Sequence, residues 1–434
     1  MTDLLIRGAA LADGTRLDLL VVGDRIVDAG SGLSRAGARV IDADGLIALP
    51  GLVDLHTHLR EPGGEAAETV LSGSRAAAVG GYTAVLAMPN TIPAADSADI
   101  VERVAALGVE AGLVEVRPIG AVTKGREGVE LAELAGMHAS RARVTVFSDD
   151  GSCVADPLLM RRALEYVSAF GGVIAQHAEE PRLTVGAQLN EGPVSAELGL
   201  AGWPAVAEEA IIARDVLLAG AAGARLHVCH VSTAGSVDVI RWARARGVRV
   251  TAEVTPHHLL LTDDLAAGYD ARYKVNPPLR SAEDVAALRA AVADGTIDAI
   301  ATDHAPHPAE AKRSEWAAAA NGMVGLETAL SVVQAALVDT GVLGWPDVER
   351  LMSVAPAAIG GVAGQGVPLA AGAPANLVLL DPSAQRVLEA GDLAGRSRNS
   401  PYLGMRLPGR VVSTVFRGRP TVQDGMLVVG EGEA

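Results

Sequence analysis

Cysteine and lysine are scarce in this chain. Cysteine occurs only at Cys153 and Cys229, which is too few for a disulfide framework, so we expect a reducing, cytoplasmic location. Lysine occurs only at Lys124, Lys274 and Lys312, so almost every basic side chain is an arginine. The sequence also lacks any run of about 18 uninterrupted apolar residues. We therefore expect neither a disulfide-stapled domain nor a membrane-spanning helix.

Positive charge is in short supply as well. The 36 lysines and arginines face 52 aspartates and glutamates, which gives a formal net charge of -16. Because nucleic acid and anionic membranes repel an acidic surface, neither is expected as the main partner. A small molecule held in a locally positive pocket is compatible with this charge. The length of 434 residues, 49% of them hydrophobic, predicts one large domain or one large and one small domain.

Short β-branched runs alternate with longer amphipathic stretches from about residue 52, a pattern typical of parallel βα units. Each run ends in polar residues. The eight runs are LVDLHTH, YTAVLAMPN, VEVRPIGAVT, RVTVFSDDG, GGVIAQHAEE, ARLHVCHVS, VRVTAEVTPHH and DAIATDHAPH. Eight such units with polar strand ends predict an α/β fold of the (β/α)8 TIM-barrel type, whose active site lies at the carboxyl ends of the strands.

The two ends of the chain have a different pattern. Residues 1–50 read as short alternating strands, and TVFRGRPTVQDG near the C-terminus repeats an Arg-Gly pair followed by Asp-Gly. Glycine-rich hairpins also resemble one another by chance, which is a competing explanation for this echo. We predict that residues 1–50 and 365–434 form one small β-sandwich domain and that residues 51–364 form the barrel.

Histidines and an aspartate stand at the ends of several predicted strands. His56 and His58 lie two residues apart, so on a strand both imidazoles point to the same side. His177, His230 and Asp303 end the fifth, sixth and eighth runs. A lone histidine is more often a hydrogen-bonded core residue than a ligand. Five such side chains at one rim favour a zinc site, because zinc binds imidazole nitrogen and carboxylate oxygen.

The fourth run supplies a candidate for a carboxylate shared by two metal ions. It ends in FSDDG, which contains Asp149 and Asp150. Strand alternation allows only one of these two aspartates to face the barrel mouth and does not say which.

Seven motifs, in order along nearly the whole chain, resemble the bacterial type I dihydroorotases of the amidohydrolase superfamily. They are DLHTHLREPG, AMPNT, FSDDG, HVCHVSTAGS, TAEVTPHHL, NPPLR and ATDHAPHPAEAK. The resemblance implies a zinc-dependent, reversible cyclisation of N-carbamoyl-L-aspartate to (S)-dihydroorotate, the third step of UMP biosynthesis.

The same resemblance implies two zinc ions per subunit, bridged by an aspartate and a hydroxide. The implied ligands are His56, His58 and Asp303 for one ion, His177 and His230 for the other, and Asp150 between both. Asp303 would also be the catalytic acid and base. Hydantoinases instead bridge their metals with a carbamylated lysine that precedes a glycine, and the fourth run here contains no lysine.

Substrate contacts are implied in the same way. Arg60, Asn90 and His307 would hold the exocyclic carboxylate, since a guanidinium fork matches a planar carboxylate. The remaining implied contacts are His58, Asn276, Asn321 and Gly322. In NGMVGLET, Asn321 stands where the family often has an aromatic residue, so the resemblance carries over the Gly322 backbone contact and no side-chain role for Asn321.

Other histidines are expected to have no part in the chemistry. We expect His227 in the core and His138 facing solvent, and structural or supporting roles for His257, His258 and His304.

Two alternatives compete with this interpretation. A hydantoinase-like or allantoinase-like cyclic amidase would need no clamp for an exocyclic carboxylate. A dihydroorotase-like scaffold subunit of aspartate transcarbamoylase would lack several metal residues, which are all present here. We expect a homodimer, and the resemblance allows association with aspartate transcarbamoylase as an additional property.

Overall fold

The computed structural model describes residues 3–428. Its strands are β1 (Leu4–Leu11), β2 (Arg16–Val22), β3 (Arg25–Gly30), β4 (Arg39–Asp42), β5 (Ile47–Pro50), β6 (Leu52–Thr57), β7 (Tyr82–Ala87), β8 (Glu115–Pro118), β9 (Val146–Phe147), β10 (Val173–Gln176), β11 (Leu189–Asn190), β12 (Gly202–Trp203), β13 (Arg225–Val228), β14 (Val250–Val254), β15 (Ala299–Ile300), β16 (Leu377–Val387), β17 (Arg406–Phe416), β18 (Arg419–Gln423) and β19 (Met426–Leu427).

Helices follow most of the central strands. They are α1 (Val70–Val79), α2 (Ala98–Ala111), α3 (Leu134–Ala139), α4 (Pro157–Ser168), α5 (Pro193–Leu198), α6 (Val206–Ala222), α7 (Ala234–Arg244), α8 (Pro256–Leu260), α9 (Ala282–Ala293), α10 (Ala309–Lys312), α11 (Ala329–Val333), α12 (Trp345–Glu349) and α13 (Ala355–Gly360). Wider π-helical turns at Gln334–Val338 and Arg350–Val354 extend α11 and α12. Between residues 3 and 428, no helix has the length and apolar character needed to cross a membrane.

Eight parallel strands form the barrel predicted from the sequence. Strands β6, β7 and β8 pair in that order, and β9, β10, β13, β14 and β15 form a second parallel set. Bridges between Gly120 and Phe147 and between Thr57 and His304 join the two sets into a ring. Strands β6 and β7 are buried along their whole length, because side chains fill the barrel inside and helices cover it outside. The predicted fold class is confirmed.

Short polar side chains fix the points at which several barrel helices begin. Thr69 Oγ1 accepts the backbone N–H of Ser72 at the start of α1. Asp156 caps α4 in the same manner, and Thr233 caps α7. Each cap satisfies backbone donors that have no partner within the helix. The caps of α4 and α7 therefore fix the loops that carry the polar ends of β9 and β13.

Both ends of the chain contribute to one small β domain. Strands β1–β5 and β16–β19 form a nine-stranded sheet, in which β5 and β16 pair antiparallel and join the two chain ends. Its core contains Leu19, Ile26, Leu377, Leu379 and Val415. The fold prediction of a barrel with a small β domain agrees with this arrangement, whereas the boundaries at residues 50 and 365 stay a prediction.

Candidate metal and substrate site

Five of the predicted metal residues lie together at the carboxyl ends of the barrel strands. Asp150 is at their centre. Its Oδ1 lies 3.2 Å from His56 Nε2, 3.5 Å from His177 Nδ1 and 3.4 Å from His230 Nε2, and its Oδ2 lies 3.3 Å from His58 Nε2. All five side chains are buried. One carboxylate therefore contacts four imidazoles that come from three different barrel strands or the loops after them.

Asp303, the sixth predicted residue, contacts only half of this cluster. Its Oδ1 lies 3.0 Å from His58 Nε2 and 3.5 Å from His56 Nε2. On the other side of Asp150, His177 Nδ1 and His230 Nε2 lie 2.9 Å apart. The cluster thus has two halves with Asp150 between them, the same division that the sequence resemblance implies.

The structure distinguishes the two aspartates of FSDDG. Asp149 turns towards the strand-end segment before it, where its Oδ1 accepts the N–H groups of Val122 and Thr123 at 2.8 and 3.0 Å. The Thr123 hydroxyl donates to its other oxygen. Asp150 faces the histidines, and the next residue, Gly151, has a φ of 80°. Of the two carboxylates, only Asp150 lies within the cluster.

Charge within the cluster is strongly coupled. Burial raises the pKa of Asp150, but the surrounding imidazoles outweigh burial and hold it well below its ordinary value. Burial lowers the pKa of His177, but its contact with Asp150 and its hydrogen bond to Glu179 raise it to about 10, so without a metal this ring is protonated at neutral pH, and a bound metal would have to displace one of its protons. For Asp303, burial is again outweighed by His56 and His58, so its pKa is also lowered. Both aspartates are ionised at neutral pH, as metal ligands must be.

The hydrogen bonds of three histidines leave one nitrogen of each ring turned towards the cluster. His56 Nδ1 lies 2.8 Å from Glu253 Oε1, His58 Nδ1 lies 2.9 Å from Asn90 Oδ1, and His177 Nε2 lies 2.9 Å from Glu179 Oε2. In the neutral ring that a metal binds, an oxygen acceptor at one nitrogen places the ring proton there and leaves the lone pair on the other. Metal-binding histidines usually donate to an oxygen in this way.

Orphaned atoms point to the same conclusion. His56 Nε2 and Asp150 Oδ1 are buried without a hydrogen-bond partner, which costs about 1–3 kcal/mol for a buried polar group. Two sets of donors each lie within 4.8 Å of one another and have His56 in common. They are His56, His58 and Asp303, and His56, Asp150 and His230. Imidazole and carboxylate donors suit zinc. The residues present fit a divalent metal.

The backbone is also unusual at this site. Arg60, His230 and Asp303 have φ values of 62°, 33° and 46°, in the left-handed region that residues with a Cβ seldom adopt. Such conformations persist where the surrounding structure enforces them, and they cluster at functional sites. Each of the three residues lies two or three residues after the end of a barrel strand, where the chain turns its side chain towards the mouth.

Two carboxylates of this site were missed in the sequence. Glu253 lies within β14, fully buried, and bonds both His56 and His227, the latter at 3.1 Å between Oε2 and Nε2. Burial raises the pKa of Glu253, but these histidines lower it to about 2. Glu179 bonds His177, and its pKa is also about 2. An acidic residue inside the apolar run VRVTAEV was the available signal for Glu253.

The predicted carboxylate clamp lies beside the metal residues. Arg60 Nε donates to Pro306 O at 3.3 Å, and Asn90 bonds His58 as described. His307 Nε2 lies 2.7 Å from Asn321 O, so this nitrogen carries the proton. Burial and then the charge of Arg60 lower the pKa of His307 to about 3, so its imidazole is neutral at pH 7.

The other predicted substrate residues lie around the same mouth. Asn276 Nδ2 donates to Glu179 Oε2 at 3.0 Å. The Gly322 carbonyl accepts from Lys312 Nζ at 2.8 Å. A Cβ at Gly322 would lie 2.9 Å from His307 Nε2, and φ there is 129°, so this position requires glycine. Asn321 is exposed, and its carbonyl rather than its side chain makes the contact with His307.

One of the expectations for the remaining histidines is wrong. His138 does not face solvent: it is half-buried, bonds Val144 O at 2.8 Å and stacks on Phe170 at 4.4 Å between ring centroids. The others have supporting roles as expected. His227 is buried against Glu253, His258 bonds Thr255 and Pro278, His304 bonds the loop after the eighth strand, and His257 packs against His258.

Comparison with known proteins supplies the family. The model of the family described as dihydro-orotase-like matches residues 45–236. The dihydroorotase of Leifsonia xyli subsp. xyli is 69% identical over 430 residues, which cover 99% of this chain and 98% of the relative. The dihydroorotase of Mycobacterium tuberculosis is 55% identical over 98% of this chain and 99% of the relative. The chain belongs to the dihydroorotase family.

Comparison with solved structures shows that a wider group of proteins has the same fold as this chain. The L-hydantoinase of Arthrobacter aurescens superposes with a TM-score of 0.86 at 28% identity, and the match covers 99% of this chain and 98% of that one. The dihydropyrimidinase of Brevibacillus agri superposes with a TM-score of 0.83 at 25% identity, covering 98% and 96%. As a member of the dihydroorotase family, this chain is a metal-dependent hydrolase of cyclic amides. It has the barrel fold of the amidohydrolases.

Proposed function

We propose that this chain is a dihydroorotase of the bacterial type I class, which interconverts N-carbamoyl-L-aspartate and (S)-dihydroorotate in pyrimidine biosynthesis. The observation that carries the proposal is the position of Arg60, Asn90 and His307 beside the cluster around Asp150. A plain cyclic amide needs no positive group for a carboxylate. Dihydroorotate carries one, and an arginine suits it.

Two zinc ions are the proposed cofactors. His56, His58 and Asp303 would hold one ion, His177 and His230 the other, and Asp150 would contact both. When bound, zinc supplies a Lewis acid that polarises a carbonyl and lowers the pKa of water to about 7. The cluster of imidazole and carboxylate donors, with ring protons directed away from its centre, supports this assignment.

Asp303 is the proposed acid and base of the reaction. In hydrolysis, a water oxygen forms a bond to the ring amide carbonyl carbon while the Asp303 carboxylate accepts its proton. The C–N bond then breaks, and Asp303 delivers the proton to the departing nitrogen. In cyclisation the same carboxylate removes the proton from the attacking nitrogen. Asp303 contacts both His56 and His58 through Oδ1. Its other oxygen, Oδ2, takes part in neither contact.

The carboxylate clamp is the part of the site that binds and orients the substrate in this proposal. Arg60 supplies the positive charge, and burial lowers its pKa only to about 10, so it stays charged at pH 7. His307 is neutral and, with Nε2 donating to Asn321 O, keeps Nδ1 for a further partner. We propose Asn90 as a third contact to the carboxylate, and Asn276 and the Gly322 backbone as contacts to the ring.

Turnover of three substrates at one pH tests the proposal. We expect kcat/KM for dihydroorotate to exceed that for hydantoin and allantoin by at least about a hundredfold, because a site built around an ionic contact rejects analogues that lack the partner. Arg60→Gln should raise KM for dihydroorotate and leave the low activity on hydantoin unchanged. A preference for hydantoin or allantoin in the unmodified protein contradicts the proposal and favours a general cyclic amidase.

The remaining assignments stay proposals of the same kind. We propose a homodimer in the cytoplasm, a division of the chain at residues 50 and 365, and aspartate transcarbamoylase as an additional partner. Size measurement in solution, alone and with that enzyme, tests the dimer and the partner together.

A further inference from the structure

A basic cavity lies beside the clamp. It has a volume of about 580 Å3, and its lining includes Arg272, His307, Arg313, Arg396, Arg398 and Asn399. Arginines come to this wall from three separate segments of the chain, the loop before α9, the turn after α10 and the segment before β17. Such a concentration of positive charge stands out on a chain whose formal charge is -16.

Most of this charge is not neutralised by carboxylates. Arg272 is paired, since its Nε lies 2.8 Å from Asp270 Oδ2. Arg313, Arg396 and Arg398 are exposed, and none of the three has an ion-pair partner among residues 3–428.

Arg398 donates to the carbonyl of Ser397 at 3.1 Å, a neutral partner that orients its guanidinium and leaves the charge in place. The acidic residues on the lining are Glu310 and Asp270, and Asp270 forms an ion pair with Arg272. The wall therefore presents net positive charge to any solute that enters.

One residue of the clamp, His307, also belongs to the wall of the cavity. The ring of His307 is close enough to Arg60 and His58 for both to lower its pKa. Asn399 Oδ1 accepts the backbone N–H of His307 at 3.1 Å, and Asn399 Nδ2 donates to Gly322 O at 3.2 Å. The cavity and the proposed substrate site therefore have His307 in common.

We propose that this cavity is an outer binding site that captures the open-chain dicarboxylate substrate, with Arg313, Arg396 and Arg398 as its charge-bearing residues. This inference rests on the proposed dihydroorotase function. N-carbamoyl-L-aspartate carries two carboxylates and dihydroorotate carries one. A positive potential acts on each substrate in proportion to its charge, and clefts of one sign raise the local concentration of the opposite ion. The cavity thus binds the open-chain dianion more strongly than the ring-closed monoanion and leaves the equilibrium between them unchanged.

Proportionality to charge gives a quantitative test. If removal of the three arginines weakens capture of the monoanion by a given factor, it weakens capture of the dianion by the square of that factor. For the triple variant Arg313→Gln, Arg396→Gln and Arg398→Gln we expect the inhibition constant, read from dihydroorotate turnover, to rise about threefold for succinamate, an unreactive monoanion, and about tenfold for succinate, an unreactive dianion. The kcat/KM for dihydroorotate and that for N-carbamoyl-L-aspartate should fall together by one common factor, because the equilibrium constant of the reaction fixes their ratio.

A matched control removes the same charge elsewhere. Arg16, Arg141 and Arg161 are exposed and lie in β2, before β9 and in α4. Their replacement by glutamine changes the net charge by the same amount and should leave both inhibition constants within about twofold. Salt should weaken the kcat/KM of the unmodified protein for the dianion more than that of the triple variant, since ions screen the exposed arginines.

The outcomes separate this inference from the proposed function. Equal changes in the two inhibition constants, or no change in either, overturn the outer site while dihydroorotate turnover leaves the proposed function intact. Absence of dihydroorotate turnover in the unmodified protein overturns the function itself. If the triple variant does not fold, the double variant Arg313→Gln and Arg396→Gln is measured instead, and the same squared relation should hold for it. This double variant alters no contact between Arg398 and the backbone.

Discussion

Asp303 is the central residue of the proposed chemistry. It contacts two of the four histidines, whereas Asp150 contacts all four, so loss of one Asp303 oxygen leaves most of the donor set in place. We expect Asp303→Asn to retain bound zinc and to lose about 10²- to 10⁴-fold in kcat, the usual contribution of a general acid and base. Zinc content and kcat are measured on the same preparation.

The control for Asp303 is Asp263→Asn. Asp263 is a buried carboxylate that bonds Asn190 at 2.7 Å and makes no contact with the histidines. Its activity should stay within about threefold of the unmodified protein. Full activity of Asp303→Asn would exclude the assigned role.

Glu253 is predicted to position His56. Its carboxylate fixes the proton on His56 Nδ1 and so leaves Nε2 free to face Asp150. We expect Glu253→Gln to weaken zinc affinity by about 10- to 100-fold, as loss of the oxygen partner of a metal-binding histidine usually does. Competition with a zinc-binding dye measures the affinity.

A buried glutamate away from the histidines serves as the comparison. Glu208 accepts from Ser232 N at 3.0 Å and from Ser236 Oγ at 2.7 Å. Glu208→Gln should affect stability and leave zinc affinity within about threefold. Similar zinc affinities for the two variants would argue against positioning by Glu253.

The sequence allowed a site residue to be predicted where its motif lies at the end of a predicted strand. His56, His58, His177, His230 and Asp303 met this condition, because the carboxyl ends of parallel strands share one rim. Strand alternation did not decide between Asp149 and Asp150, and only the family resemblance implied Asp150, since the choice depends on which backbone N–H groups Asp149 finds across the barrel. Glu253 was missed for a related reason: only packing shows that a charged residue within a strand faces inward.

Among the helices and loops, the segment 313–322 depends on two buried lysines. Lys274 Nζ donates to the carbonyls of Trp316 and Ala319 at 2.6 and 2.9 Å. Lys312 Nζ donates to the carbonyls of Lys274, Ala320 and Gly322 at 3.0, 2.8 and 2.8 Å. The segment contains Gly322 of the proposed substrate site, so these lysines hold its backbone in place.

Lys312 gives this segment a pH dependence. Burial and then the charge of Lys274 lower the pKa of Lys312 to about 7, against about 10.4 for an exposed lysine. Between these values the unfolded chain holds a proton that the folded chain has released, so stability rises with pH. We expect the melting temperature of the unmodified protein, relative to Lys312→Met, to increase from about pH 6.5 to pH 9.

Lys124→Met is the control for this measurement. Lys124 is exposed and its pKa is raised by Glu130, so its proton stays bound throughout this window in both states. Its difference from the unmodified protein should be flat with pH. A flat difference for Lys312→Met as well would show that Lys312 keeps its proton in the folded protein.

The strands of the barrel were predictable in number and order but not in length. All eight runs form strands, yet β9 and β15 contain only two residues each, Val146–Phe147 and Ala299–Ile300. Apolar patterning records which residues are buried and carries no information on where the hydrogen-bonded ladder ends. The π-helical turns after α11 and α12 were not predicted for the same reason, because they keep the apolar periodicity of an ordinary helix nearly unchanged.

At the scale of the whole molecule, the metal site ties together segments that are far apart in the chain. Its proposed ligands lie in β6 and in the loops after β6, β9, β10, β13 and β15, so residues 56 and 303 meet at one point. A metal that binds only the folded barrel stabilises the whole barrel by mass action, by about 4 kcal/mol when its concentration is a thousand times Kd. We therefore expect metal binding and barrel folding to be coupled.

Removal of metal should consequently lower the melting temperature of the entire barrel in one transition. We expect chelated protein to melt about 5 °C below the zinc-loaded protein by calorimetry, and zinc alone to restore the difference. In the double variant His177→Asn and His230→Asn the restoration should shrink, because half of the site is lost, whereas His138→Asn, which lies outside the cluster, should restore fully. Equal melting temperatures with and without zinc would mean that the imidazoles around Asp150 are held together by their shared protons rather than by metal.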